Sequence, residues 1–309
     1  MRKFGLALLC ASFGMLGAAH AASSASASVG NLTFQLIDLN PLDGVDASYS
    51  FAGTGAGSGT TTLQVSASDN GESDSASKTR NQLFYTGTLS ASDFEHAGAT
   101  SSVSLGGVSA NGFANGPATS FSAQGSTQSP YYYTSGGTLS LSANSVLIIT
   151  ADASTSAKAY TNDSACYWCS SDYANASASF SLSYNYSDGK TYTNYSFNDA
   201  VNSNAYATPG HNDWVYDYST GQWNTVYVPG QNPDASDART FRAVFTNSTS
   251  QTQYASLSMS ATVNGYGSVA FPAPTTGAAI AAVPEADSLS MALAGLGVAG
   301  FVVRRRRQA

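Results

Sequence analysis

The sequence predicts an all-β protein, an antiparallel β-sandwich or jelly-roll-like domain, on three observations. First, apolar and polar residues alternate with period two. Phe180, Leu182, Tyr184 and Tyr186 are interleaved with Ser, Ser and Asn, and Leu257, Met259, Ala261 and Val263 with Ser, Ser and Thr. A strand sends successive side chains to opposite faces, so this pattern makes one buried face and one wet face. Second, turn signals punctuate the runs at short intervals, as antiparallel sandwiches require. Third, no amphipathic helical window of useful length occurs between the termini.

The elements can be justified in chain order. Arg2 and Lys3 precede a short apolar core, Phe4 to Gly17, and Ala19-His20-Ala21 offers small residues at the two positions a signal peptidase reads. Residues 1–21 therefore read as a signal peptide cut after Ala21, and Cys10 leaves with it. Residues 22–271 form the Ser/Ala/Tyr-rich β domain. Ala22 to Ser28 alternates Ser and Ala; its period suits a strand, but its side chains bury little, so a flexible lead is an equal reading. Phe51 to Thr62 and Ser68 to Asp74 read as loops. Val146-Leu147-Ile148-Ile149 is an unbroken apolar run, expected as a central strand buried on both faces. Three hairpins are expected. Their turns are Ser187-Asp188-Gly189-Lys190, Ser219-Thr220-Gly221 and Asn247-Ser248-Thr249-Ser250. Phe271-Pro272-Ala273-Pro274 ends the last strand, and residues 272–282 read as a linker.

Charge and cysteine usage narrow the function classes. Between Ala22 and Val283 the net charge is −11 (6 Lys and Arg against 17 Asp and Glu), because half of the basic residues sit in the two terminal segments. An acidic domain repels phosphate, so nucleic acid is excluded as a partner. In an exported protein, Cys166 and Cys169 of Cys166-Tyr167-Trp168-Cys169 are expected to form a small disulfide loop. No helix follows them, as a redox pair would need. His96 and His211 are isolated, so no zinc site is expected.

Candidates for chemistry are weak. Asp93-Phe94-Glu95-His96 and His211-Asn212-Asp213 bring carboxylates near an imidazole, but solvated loop residues are the expected reading of both. No nucleophile elbow occurs in a strand-to-helix context, and no carboxylate pair stands out for glycoside hydrolysis. Asp69 to Asp74 and Asn232 to Asp237 gather the oxygen ligands calcium prefers, without EF-hand spacing. Ordinary polar turns are the first expectation for both, so no metal or cofactor is expected. Aromatic rings concentrate in Tyr131-Tyr132-Tyr133 and in Tyr206, Trp214, Tyr216, Tyr218, Trp223 and Tyr227. Alternation is expected to bury one set from Trp214 to Tyr218, which makes core or cross-strand packing the first reading. Stacking on sugars is the second.

The C-terminal residues 283–309 describe an address. Val283-Pro284-Glu285 is followed by apolar Leu289 to Val303 and then Arg304, Arg305, Arg306 and Arg307. The apolar segment would span about 22 Å as a helix, short for a hydrocarbon core of about 30 Å. It is expected as a single transmembrane helix whose arginines stay on the cytoplasmic side. The signal peptide places the acidic domain outside, in agreement. Such a short span suits a temporary stop that awaits processing.

These residues resemble the PEP-CTERM sorting signals, which pair a Val-Pro-Glu-Pro motif with an apolar segment and a basic tail. Leu293-Ala294-Gly295-Leu296-Gly297 inside the apolar segment fits the same pattern, and Ala286 stands where the family has its second proline. Ala273-Pro274-Thr275-Thr276-Gly277 is similar to a sortase site, but lacks the leucine that sortases bind. The PEP-CTERM resemblance implies an exported Gram-negative protein that is held in the inner membrane and processed by an exosortase. Pro284 and Glu285 would be the recognition element. It further implies an association with extracellular polysaccharide and a final place at the cell surface or in the matrix. The expected function is therefore structural and non-enzymatic. A carbohydrate-binding module is the alternative, and an all-β hydrolase a distant third.

Overall fold

The computed structural model describes residues 23–51, 59–91, 94–116, 118–129, 139–161, 172–187 and 192–268. Ala19 and Ala21, Asp93, Tyr131 to Tyr133, Cys166 and Cys169 lie outside them. So do the 188–190 turn, the linker, and the segment from Val283 to Arg307. Strands take up 76% of the described residues, and none of these is helical.

The strands are β1 (Ser23–Asp38), β2 (Tyr49–Phe51), β3 (Thr60–Asp69), β4 (Glu72–Arg80), β5 (Gly87–Ala91) and β6 (Ala97–Ser104). Then come β7 (Gly107–Ala114), β8 (Thr119–Gln128), β9 (Leu139–Leu141), β10 (Ser145–Ala159) and β11 (Tyr173–Ser187). The last are β12 (Tyr192–Tyr206), β13 (His211–Asp217), β14 (Gln222–Val228), β15 (Asp234–Asn247) and β16 (Gln253–Gly267). A six-stranded antiparallel sheet has the order β15-β10-β1-β7-β6-β5. The larger sheet runs β12-β11-β16-β8-β3-β4, with β9 on the start of β16 and β2 on β9. The two face each other: β16 packs over β1 and β7, β8 over β6 and β7, and β10 over β11 and β12. This layering follows from strands with one apolar face each, which must be buried against a partner.

The core mixes very small and large side chains. Ala27, Ala110, Ala178 and Ala261 are buried in its middle, while Phe180, Phe241, Phe245, Leu147 and Ile149 supply the bulk. Small residues let the sheets approach closely. A Cβ on Gly125 of β8 would lie 3.0 Å from the carbonyl oxygens of Ser102 and Ser109 in the facing sheet. A buried hydrogen bond of 2.8 Å between the Thr155 and Ser203 hydroxyls ties β10 to β12 across the interior. Pairing satisfies both polar groups where solvent cannot.

The Ser/Ala lead is a central strand. β1 pairs with β10 on one side and β7 on the other. A bulge sets three residues, Asn31 to Thr33, against two on β10, and Asn31 takes a left-handed φ of 53°. The extra residue reverses parity, as bulges do. Ala25, Ala27 and Val29 face inward before it, and Leu32, Phe34 and Leu36 after it. One strand thus serves an alanine region and an aromatic region of the same core.

Four expectations are corrected. Thr60 to Thr62 belong to β3 rather than to a loop. Ser68 to Asp74 is a tight hairpin, with Asn70 and Gly71 at φ values of 48° and 88° between paired Asp69 and Glu72. Two successive positive φ values fit a type I′ turn, which Asn-Gly favours. Val146 to Ile149 is buried on one face only: Leu147 and Ile149 are in the core, while Val146 and Ile148 lie on the outer face beside Ile37 and Val244. Finally, Asn247 to Ser250 is not a hairpin turn, because β15 and β16 belong to different sheets. Buried Asn247 holds this crossing, donating its side-chain amide to the carbonyls of Leu141, Ser142 and Gln251.

Candidate functional site

The 219–221 turn produces a hairpin as expected, but its setting is not the expected one. β13 and β14 pair only with each other, from His211–Val228 at the base to Asp217–Gln222 at the tip. Apart from marginal contacts, the ribbon packs on no other strand among the described residues. Its turn is built from its own sequence. Gly221 adopts φ 67° and donates its N–H to the Asp217 carbonyl at 2.8 Å. The Asp217 carboxylate accepts the Ser219 N–H at 2.8 Å and the hydroxyls of Ser219 and Thr220 at 2.7 and 2.9 Å. These bonds, the Ser219 hydroxyl foremost, hold its pKa at about 2.

A carboxylate whose folded pKa is lowered stabilises the turn fully above the ordinary value of 3.8, and that stabilisation is lost as pH falls through about 2. The Ser219 amide resonance is therefore expected to titrate with a midpoint near 2 in NMR, and Asp217→Asn to abolish the step. A midpoint at the ordinary value would show that the capping bonds do not persist in solution.

Register sorts the ribbon's side chains. Cross-strand partners share a face, so Asn212, Tyr227, Trp214, Thr225, Tyr216 and Trp223 lie on one side. His211, Asp213, Val215 and Asp217 lie on the other with Val226 and Val228. The expectation that alternation buries one set is corrected: Trp214 is 68% exposed and Trp223 62%, while Val215 and Val226 on the opposite face are 50% and 48% exposed. Alternation buries a set only where a second layer covers it, and no described strand covers this one. Cross-strand packing does occur, with the Tyr216 and Trp223 rings 5.1 Å apart and Tyr216 edge-on to Tyr218 at 5.1 Å.

The other candidates do not converge on chemistry. His96 Nδ1 lies 3.0 Å from Asp69 Oδ2, joining a half-exposed imidazole to the end of β3. His211 Nε2 lies 3.6 Å from Asp213 Oδ1 on the exposed ribbon. The two acidic stretches become strand and turn. Asp74 is paired opposite Ala67 in β4, Asp234 makes a 2.8 Å ion pair with Lys158, and Asn232 accepts the Thr161 N–H. Among the described residues, no three His, Cys, Asp or Glu side chains gather to hold a metal. Buried Asp172 accepts the Ser268 N–H at 2.6 Å on one oxygen, and desolvation raises its pKa.

The sequence reading missed two regular features of the larger sheet. Tyr206, Tyr173 and Tyr266 stand in register on adjacent strands, with ring centroids 5.9 and 6.4 Å apart. The outward residues of the same six strands are almost all Ser, Thr, Asn, Gln or Tyr. Alternation revealed that these residues face out, but only the register shows that they align.

The terminal address has independent support. Residues 282–307 match the family model of the PEP-CTERM protein-sorting motif. The chain carries a PEP-CTERM signal. Val283, Pro284, Glu285 and Arg304 to Arg307 all fall within the matched stretch. The PEP-CTERM motif marks an exported protein sorted at the membrane through its C-terminus and processed by an exosortase, a membrane enzyme. No curated protein and no solved structure matches the chain.

Proposed function

We propose that the PEP-CTERM signal delivers a non-enzymatic structural protein to the cell surface or to an extracellular polysaccharide matrix. The observation that carries this reading is the outer face of the larger sheet. One rank across its six strands is Asn202, Ser177, Thr262, Gln124, Gln64 and Ser77; the next is Asn204, Asn175, Asn264, Ser122, Ser66 and Ser75. Ranks repeat at about 6.8 Å along the strands and columns at about 4.8 Å across them. Hydroxyl pairs lock neighbouring columns, Ser179 to Ser260 at 2.8 Å and Ser181 to Ser258 at 2.7 Å.

No described outward residue of β12, β11, β16, β8, β3 or β4 is charged, in a domain of net charge −11 (6 basic against 17 acidic residues). An uncharged grid of hydroxyls and carboxamides matches the hydroxyl chemistry of polysaccharide. Each bond exchanged with water contributes little, about 0.5–1.5 kcal/mol. Retention would then come from many weak contacts spread over a stiff surface, which suits a matrix component better than a catalyst.

Cell fractionation tests the reading. The processed protein is expected in the extracellular matrix fraction, retained through a wash in about 1 M salt, because uncharged contacts are not screened. Enzymatic digestion of the matrix polysaccharide should release it. Release by salt alone, or recovery only inside the cell, would count against the proposal.

A further inference from the structure

We infer that the aromatic face of the β13–β14 ribbon is a binding site for an uncharged glycan chain. This rests on the matrix reading only for where the ligand is met; the recognition chemistry belongs to the ribbon. The bulkiest core side chains, Phe180, Phe241 and Phe245, are all at most 1% exposed. On the ribbon, Trp214, Trp223 and Tyr227 are 68%, 62% and 49% exposed on the same side. Exposed aromatics gathered on one surface mark an interaction site rather than ordinary surface composition.

Three properties of that side select the ligand. The first is shape. Asn212 to Tyr216 advances four residues along the strand, about 14 Å, so the rings form a strip as long as a short oligosaccharide. The apolar C–H faces of pyranose rings can lie flat on such a strip. The second is polarity. Thr225 stands between Trp223 and Tyr227, and Asn212 stands beside Tyr227 at the base, so a hydroxyl and a carboxamide are offered to equatorial sugar hydroxyls. Aromatic faces supply area while such groups supply orientation, the usual division in ligand sites.

The third property is charge. The aromatic side carries no ionisable carboxylate or cation, and both ribbon carboxylates, Asp213 and Asp217, lie on the opposite face. A polyanionic polysaccharide or an anionic lipid surface would meet no cation there, and a net acidic domain behind it. A neutral glycan meets neither penalty. The hydrogen-bonded turn holds the two strands together at the tip, so binding need not order them first.

The test is affinity electrophoresis of the full processed protein in gels containing a neutral β-glucan, a neutral galactomannan, dextran or polyanionic alginate. Retardation by at least one neutral polymer and not by alginate is expected. Trp214→Ala combined with Trp223→Ala should weaken binding by about tenfold or more for each ring lost. Val215→Ala with Val226→Ala, on the opposite face, should leave binding unchanged.

An unshifted melting temperature would show that the core is intact in the double variant, and Trp223→Tyr, which keeps a ring, should restore most of the affinity. Binding to alginate alone, binding to phosphatidylcholine vesicles through the ribbon, no binding to any neutral polymer, or full binding by the double tryptophan variant would each overturn the inference. Retention in the matrix fraction without glycan binding by the ribbon would refute this site and leave the matrix reading standing. Glycan binding by a protein absent from the matrix fraction would do the reverse.

Discussion

Alanine at all four of Arg304, Arg305, Arg306 and Arg307 is expected to leave the exported protein unprocessed or misrouted. As a helix Leu289 to Val303 would be a marginal span of about 22 Å, whose apolar character alone would not hold it across a bilayer. Four guanidiniums that never deprotonate would each cost about 2.5–3.5 kcal/mol to draw into the hydrocarbon core. Together they would stop the chain with Val283-Pro284-Glu285 presented on the far side. Without them the segment can pass through or fail to seat, and the processing enzyme meets no positioned substrate. Intact-mass measurement of the exported fraction decides the matter. Loss of the mature C-terminus and accumulation of precursor is the expected result, and unchanged processing would show that the arginines do not position the signal.

Phe121→Ala is expected to have the largest effect on the fold itself. Phe121 is 3% exposed on β8, and two glycines make its slot. A Cβ on Gly265, its partner on β16, would lie 2.3 Å from the ring, and one on Gly112 in the facing sheet 2.1 Å from it. Both glycines therefore leave space that the ring fills. Neither has a side chain that can move in when the ring is removed, so the void cannot collapse. Truncating a buried phenylalanine costs about 3–5 kcal/mol, a large part of a total stability of about 5–15 kcal/mol. Denaturant unfolding should show the midpoint fall with an unchanged slope. A loss below about 1 kcal/mol, the scale of a surface change, would mean that the slot relaxes. Gly265→Ala is expected to destabilise as well, by overpacking against the same ring.

The strands that were easiest to read share one trait. In β11 and β16, Phe180, Leu182, Leu257 and Met259 alternate with small polar residues, so burial of one face is written in the local pattern. Glu72 to Asp74, the start of β4, reads as part of a polar loop because Glu72 to Arg80 has no apolar alternation. Its position on the sheet edge asks for none, although Asn70-Gly71 marked the turn. β1 stayed ambiguous because alanine buries too little area to distinguish a strand from a flexible lead. It becomes central only where the facing sheet also offers alanine and glycine.

The candidate site was half legible. Ser219-Thr220-Gly221 and the flanking aromatics predicted the hairpin, but nothing local indicated whether a second layer would cover it. The turn at Asn247 to Ser250 raises the same difficulty. Polar residues between two apolar runs look alike whether the strands pair beside each other or cross between sheets.

The sequence by itself determined the all-β class, the inward face of most strands and the C-terminal address. Each is set by local order: period two, turn chemistry, and a motif, apolar run and basic tail in succession. Only the tertiary structure decided which strands are neighbours, that the outward polar residues align into a grid, and that the β13–β14 aromatics stay in solvent. These are properties of register and layer packing between residues far apart in the chain, and period-two alternation is the same for a covered face and an open one.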